Sequence, residues 1–387
     1  FDQEAERHRL VLHDYQQTEI KEMRSMDNTK LIDSLHISLK SYEDLLTVFK
    51  HMLSNGLEIY LSHFLAPFMG DWPTQFFMRQ LVYNLDSVSL PATCKNIVPL
   101  IGPLHVSLNS RECVLKNFHA IFAELYSFLF GTKAKLAKTP KPWRVSLLLE
   151  VAYGGWTLVR ETILSVFCHC KDIEFLTLVN LVDNYIPLVL SIYSIVFKSN
   201  DYTLYYKSLL RCWVMFMVFG RRHYDKALLV TLSAFMYWQG NDHPMHHTLL
   251  EALVAFDEYP VENFHSLLRS STNMTDTAEQ ISLKAKEIDA RKHELHSFKS
   301  AFVPPKTFNF SRKRINKLKL KAAKFLTQKF GVLHSNPGMA KSLPRTKRQS
   351  KSITRYQLPN LFGDKIVTNK VLPLGFTSVK MPPNPEK

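Results

Sequence analysis

Two acids in this chain have the type and setting for chemistry on phosphate esters. Asp71 lies in Gly70-Asp71-Trp72-Pro73-Thr74, just after the apolar run that begins at Ile59-Tyr60-Leu61. Glu262 lies in Val261-Glu262-Asn263-Phe264-His265-Ser266, at the start of an expected helix about 190 residues later. Hard divalent cations prefer oxygen ligands, so Asp and Glu are the side chains such ions would use. Cleavage or transfer of a phosphodiester commonly uses two Mg²⁺ or Mn²⁺ ions about 4 Å apart, one activating the attacking oxygen and one stabilising the leaving oxygen. Each acid also has a plain structural reading. Asp71 beside Pro73 suits a turn aspartate that bonds its own backbone. Glu262 suits the first turn of a helix, where the helix dipole favours negative charge. His105, Arg111, Asn263 and His265 are further polar residues in the same stretches. For them the sequence favours a hydrogen-bonded core histidine, a surface arginine and other structural roles over contact with a phosphate.

The words around the two acids carry a resemblance. GDWPTQ (70–75), IVPLIGPLHVSLNSRE (97–112), KPWRVSLLLE (141–150), LVDNYIPLVLSIYSIVF (181–197) and YPVENFHSLLR (259–269) resemble an uncharacterised transposon-derived family expanded in some fungi and sponges. The resemblance spans about residues 1–290 in order. It implies DDE transposase ancestry: an RNase H-like core with a carboxylate at a strand end, a long helical insert, and a carboxylate on a late helix. Asp71 matches the family's aspartate in its Gly/Ala-Asp-x-Pro turn, and Glu262 the glutamate of its Val-Glu-Asn-x-His-Ser motif. Both would be catalytic and metal-holding, with Mg²⁺ or Mn²⁺ as the implied ion. The first-strand aspartate of such a site is expected upstream of Phe1; Asp14 is the weak in-chain substitute. The resemblance implies ancestry more firmly than a working reaction, so a non-catalytic, domesticated DNA-binding or interaction scaffold stands as the alternative.

The elements that must position these acids read as follows. Residues 1–56 are a helical segment that ends at Gly56, and 57–142 are a partial core. Within it, the run from Leu57 to Met69 reads as a buried strand or a helix leading into one. A short helix follows from Phe76 to Leu85. Ile97 to Leu108 is a second candidate strand, and Ser110 a candidate N-cap for a helix reaching Gly131. Residues 143–256 keep apolar residues at helical spacing throughout and give an all-α insertion of about five helices. Breaks are expected at 154–155, 171–172, 199–201, 220 and 240–242. Residues 257–300 are expected to be C-terminal core helices and 301–387 a basic, largely disordered tail. The fold class is therefore α/β but predominantly helical: an RNase H-like core fragment, a large helical insertion, then the tail.

Charge is unevenly distributed. Residues 299–387 hold 20 Lys/Arg against 2 Asp/Glu, and the rest of the chain 29 against 32. A block of one sign is usually solvated and attracts polyanions. Arg312, Lys313, Arg314, Lys317, Lys319, Lys321, Arg345, Lys347 and Arg348 are the candidate DNA contacts. Their two clusters also resemble nuclear-import signals, so DNA is the expected partner and the nucleus the expected location. Lys141, Trp143 and Arg144 form a second basic–aromatic group, for which Trp143 as a core anchor is the better reading. Five irregularly spaced cysteines argue against a disulfide framework, and Cys168-His169-Cys170 against zinc, since adjacent ligands cannot all face one ion. The most apolar run, Tyr185 to Phe197, is shorter than a membrane span and reads as a core helix, so no membrane partner is expected. Homo-oligomerisation is left open.

Overall fold

A computed structural model describes residues 35, 37, 39, 41–167, 173–290 and 312–335. In chain order its elements begin with α1 (Tyr42–Met52), α2 (Glu58–His63), β1 (Ala66–Gly70), α3 (Trp72–Tyr83) and β2 (Ile97–Ile101). Next come α4 (Pro103–Asn117), α5 (His119–Phe130), α6 (Pro142–Phe167), α7 (Ile173–Asn180) and α8 (Ile186–Ser191). The remainder are α9 (Tyr202–Val218), α10 (Arg222–Gly240), α11 (Pro244–Ala252), α12 (Tyr259–Ser271), α13 (Ala278–Ala290) and α14 (Arg312–Ser335). The protein is predominantly helical with one small parallel sheet. It divides into two compact units. The first comprises 1–106, 193–207 and 226–300, the second 107–192, 208–225 and 301–387.

In the first unit, α1 opens with a capping box between Ser41 and Asp44 and buries Leu45 and Phe49. That reciprocal pair of bonds satisfies two of the N–H groups a helix start leaves open. The chain turns through Gly56, runs through α2 and enters β1. β1 and β2 pair in parallel, Ala66 opposite Ile97 through Gly70 opposite Ile101, with α3 in the connection between them. Parallel strands need such a crossover because no tight turn can join them. Ile97, Leu100 and Ile101 are buried; Ile97 shares a core with Leu61, Met78 and Leu81.

The second strand stops well short of Leu108. Gly102-Pro103 ends it, and Pro103 begins α4, where a missing N–H costs nothing. The apolar residues at 104, 106 and 114 are therefore buried on a helix rather than in a sheet. Ser110 is consequently a buried residue inside α4 and not a cap; its hydroxyl donates to the Ser107 carbonyl at 3.0 Å. Apolar runs of this length are the ones whose period cannot separate a buried strand from a buried helix.

In the second unit the core is built on α6 and α14. The expected break at 154–155 is absent, and α6 runs straight through both glycines. Their role is close packing. A Cβ on Gly155 would sit 2.7 Å from both the Ala322 Cβ and the Ala323 backbone nitrogen, and one on Gly154 would run into Lys319. The expectation for 301–387 is altered in the part described. Residues 312–335 form one helix, with Leu318, Ala322, Phe325, Leu326 and Phe330 buried along one stripe. Phe330 meets Trp156 and Phe175 at ring separations of 5.3 and 5.2 Å. Everything beyond 335 lies outside the described residues.

Across 143–256 no strand occurs among the described residues, in line with the continuous helical spacing. The segment Glu174–Phe197 is long and apolar enough to cross a membrane by length and composition, although half of its most apolar window is buried inside the protein. It widens into a π-turn at Leu181–Tyr185, just before Pro187, whose ring and missing N–H disfavour a regular α-turn there. Asp183 in that turn is held by Arg160 at 2.7 Å and by the Trp156 indole at 2.9 Å.

Candidate carboxylate–histidine site

The first unit gathers its polar chemistry at the carboxyl ends of its two parallel strands. The ladder is closed by Gly102, whose N–H donates to the Gly70 carbonyl at 2.8 Å. Immediately beyond, Asp71 is the N-cap of α3. Its Oδ1 accepts from the Thr74 N–H at 3.0 Å and the Thr74 hydroxyl at 2.8 Å. Pro73 fits because the first turn of a helix has no partner for that N–H. The structural reading of Asp71 as a turn aspartate therefore describes one of its oxygens. Its Oδ2 accepts no hydrogen bond among the described residues.

His105 sits in the first turn of α4 and its ring Nε2 lies 3.2 Å from Glu262 Oε1. Burial works against a charged imidazole. The hydrogen bond to Glu262 and the charges of Glu258, Glu262 and Asp71 outweigh it and hold the His105 pKa above its ordinary value. The His105 bond, followed by opposing burial and the charge of His105, leaves Glu262 below the usual carboxylate range. Of the two acids singled out from sequence, Glu262 contacts this imidazole directly, while Asp71 acts on it only through its charge.

A third acid completes the cluster, and the sequence reading missed it. Glu258 is 6% exposed and precedes α12 as its N-cap. Its Oε1 accepts the His105 backbone N–H at 3.0 Å, and its carbonyl accepts the Glu262 N–H at 3.1 Å. The carboxyl lies directly over Gly102, where a Cβ would be 2.2 Å from Oε1. Burial, then the neighbouring Asp257 charge, pushes the Glu258 pKa up to about 8, so the group is mostly a neutral acid at pH 7. Its Oε2 is buried with no hydrogen-bond partner. Asp257 is fixed by the Tyr193 hydroxyl at 2.9 Å and by the Tyr259 N–H at 3.0 Å, which sets the angle at which Glu258 enters the core. The available signal was Asp257-Glu258-Tyr259-Pro260 after apolar Phe256: an acid pair placed where the chain goes inward, opposite a Gly-Pro that leaves room.

The donor set suits a hard cation in type. Mg²⁺ is commonly held by one or two carboxylates with water and substrate phosphate completing its shell. Asp71 Oδ2 and Glu262 Oε2 are the oxygens left for that purpose. Among the described residues no group of three His, Cys, Asp or Glu side chains is arranged around a shared ion position.

The other candidates fall elsewhere. Arg111 is buried, not a surface residue, and bonds the Val189 and Leu190 carbonyls and the Ser146 hydroxyl. Asn263 is buried and His265 exposed on α12. Trp143 is buried at the start of α6, with the Arg144 guanidinium 4.9 Å from its ring centroid. Lys313, Arg314, Lys317 and Lys321 are exposed on α14, which Arg312 opens, while Lys319 is half-buried over Gly154. Arg345, Lys347 and Arg348, Asp14, and Cys168-His169-Cys170 lie outside the described residues. Cys94, Cys113 and Cys212 are buried and take part in no disulfide among the described residues. No family model, no curated protein and no solved structure matches the chain.

Proposed function

We propose that this is a nuclear, DNA-associated protein of transposase ancestry, whose carboxylate–histidine cluster acts on phosphodiesters. In this reading β1 and β2 belong to an RNase H-like core, and 143–256 is the helical insert that separates its acids. Asp71 and Glu262 are the residues that would hold Mg²⁺ or Mn²⁺, which would supply charge neutralisation at the phosphate. The observation that supports the reading is the contact of His105 with Glu262 just beyond the carboxyl ends of the parallel strands, with the charge of Asp71 also felt at that imidazole. In α/β folds that end is the usual place for ligands. His105 would orient Glu262, and Glu258 would keep the first turn of α4 in place by accepting its N–H.

Two observations favour the alternative of a non-catalytic scaffold on the same core. Asp71 already uses an oxygen to cap α3, and Glu258 is mostly neutral at pH 7, so the negative charge offered to a cation is small.

DNA attraction is assigned to the exposed lysines of α14, Lys313, Lys317, Lys321 and Lys324, which recur at helical spacing. Deleting the segment from 299 on would also remove the buried stripe of α14, so charge reversal at these four positions is the cleaner variant. The test combines Mn²⁺ binding by calorimetry with nicking of supercoiled DNA, for the intact chain, Asp71→Asn and Glu262→Gln. Nicking that depends on Mn²⁺ and is lost in both variants is the expected result. DNA binding without nicking would leave the DNA-binding scaffold, and absence of DNA binding would remove both DNA readings and leave only a protein-interaction scaffold.

A further inference from the structure

The first unit carries a second feature, separate from the acid cluster. Between α3, the outer edge of β2 and the later part of α10 lies a groove of about 1180 Å³. Its wall is mostly apolar, and its charged members are Arg79 and Lys95, with no Asp or Glu among them. α3 is tied to α10 beneath it by a buried bond from Gln75 to the Thr231 hydroxyl at 3.0 Å. Three aromatic rings of the groove are open to solvent: Tyr83 at 90%, Tyr237 at 62% and Phe76 at 47% exposure. Arg79 is half-buried. One donor reaches the Pro99 carbonyl at 3.1 Å, and its Nε is buried without a partner. Burial lowers its pKa, and among the described residues no acid forms an ion pair with it, so this guanidinium is a partly desolvated cation.

These observations select among occupants. An added β-strand is disfavoured, because the middle of the β2 edge is Pro99, which has no N–H and whose carbonyl is already taken by Arg79. A small apolar ligand would leave Arg79 and Lys95 unmatched. An anion that also presents flat rings matches both halves of the wall. Unpaired bases stack on aromatic side chains while basic groups follow the phosphates, whereas a duplex hides its base faces. We infer that this groove binds single-stranded nucleic acid, with phosphate at Arg79 and Lys95 and bases stacked on Phe76, Tyr83 and Tyr237. The site does not depend on the cation reading of Asp71 and Glu262, and it would act equally in a catalytic or a non-catalytic protein.

The test is fluorescence anisotropy of a labelled oligothymidylate with the full chain. It is run at about 0.3 M salt, where non-specific phosphate contacts elsewhere are strongly weakened. Tyr83→Ala/Tyr237→Ala removes two exposed rings, changes no charge and touches no buried side chain. Loss of two stacking platforms should weaken binding by about tenfold or more. Arg79→Met should weaken it too and lower the salt dependence, while affinity for a duplex of equal length stays unchanged in the tyrosine variant. Oligothymidylate affinity of the tyrosine variant within about twofold of the parent would overturn the proposal. So would a change in self-association, read by light scattering, without a change in oligonucleotide affinity; the occupant would then be a second copy of the chain.

Discussion

Two arginines, one in each unit, are withdrawn from water in different ways. Arg111 in the second unit donates to two carbonyls and a hydroxyl, and burial brings its pKa down only to about 10, so it stays charged. Arg79 in the first unit has one carbonyl and a buried nitrogen with no partner. The same contrast holds for acids. Asp183 in the second unit is bonded by Arg160 and Trp156, whereas Glu258 in the first keeps an unpartnered oxygen. Buried polar groups are ordinarily satisfied, and those that are not mark places where something besides stability has shaped the site. By that measure Arg79 and Glu258 single out the first unit's groove and acid cluster, while the second unit has an unpartnered atom of its own in the buried Ser107 hydroxyl.

The comparison breaks most visibly at Arg111. Arg111→Met leaves the Val189 and Leu190 carbonyls and Ser146 without their donor, and should cost about 3–5 kcal/mol in chemical denaturation. A cost below about 1 kcal/mol would mean that these bonds are not what holds the second unit.

Next comes Glu258. Its pKa is raised from an ordinary 4.5 to about 8, so its contribution is intact below pH 4.5 and is lost as pH rises towards 8. Glu258→Gln, which mimics the neutral acid, should be about as stable as the parent at pH 4.5. At pH 9 it should be more stable by a few kcal/mol, since every tenfold change in proton affinity between the folded and unfolded chain is worth about 1.4 kcal/mol. Parallel stability curves from pH 4.5 to 9 would show that the carboxyl is not held neutral.

Arg79 sharpens the contrast by its smallness. Arg79→Met removes a desolvated cation that has one partner, so stability should change by less than about 1 kcal/mol in either direction, far from the Arg111 value. A loss as large as that at Arg111 would erase the difference between the two arginines.

The His105–Glu262 pair gives an effect of the same small order, because Glu262 is 42% exposed. His105→Gln should cost about 0.5–1 kcal/mol near pH 6. The cost should fade as pH drops through the lowered pKa of Glu262, and again as pH rises through the raised pKa of His105. A cost that is flat with pH would mean that packing, not charge, holds the pair.

What the sequence disclosed follows from periodicity and local chemistry. The helices of 143–256, the turn at Gly56 and the capping turn at Asp71 are each specified by residues a few positions apart. The end of β2 was misjudged because Leu104, Val106 and Leu108 are apolar in either a buried strand or a buried helix, and only the packing of α4 decides. Glu258 could not be placed for a different reason. Its partners are the His105 N–H and the space over Gly102, both about 150 residues away in sequence. Gly154 and Gly155 looked like helix breakers because the residues that exclude a side chain there, Lys319, Ala322 and Ala323, belong to a helix some 165 positions later.

That last contact sets an order of events during synthesis. The stretch of α6 around Gly154 and Gly155 leaves the ribosome long before α14 exists, and with it an apolar seam built to receive Ala322, Ala323 and Phe330. Until residue 330 has emerged, the second unit is an unfinished domain with its binding face open to chaperones or to the same seam on a neighbouring chain. A nascent chain stalled before position 312 would therefore be the species most prone to aggregate, and adding α14 as a separate peptide should rescue it.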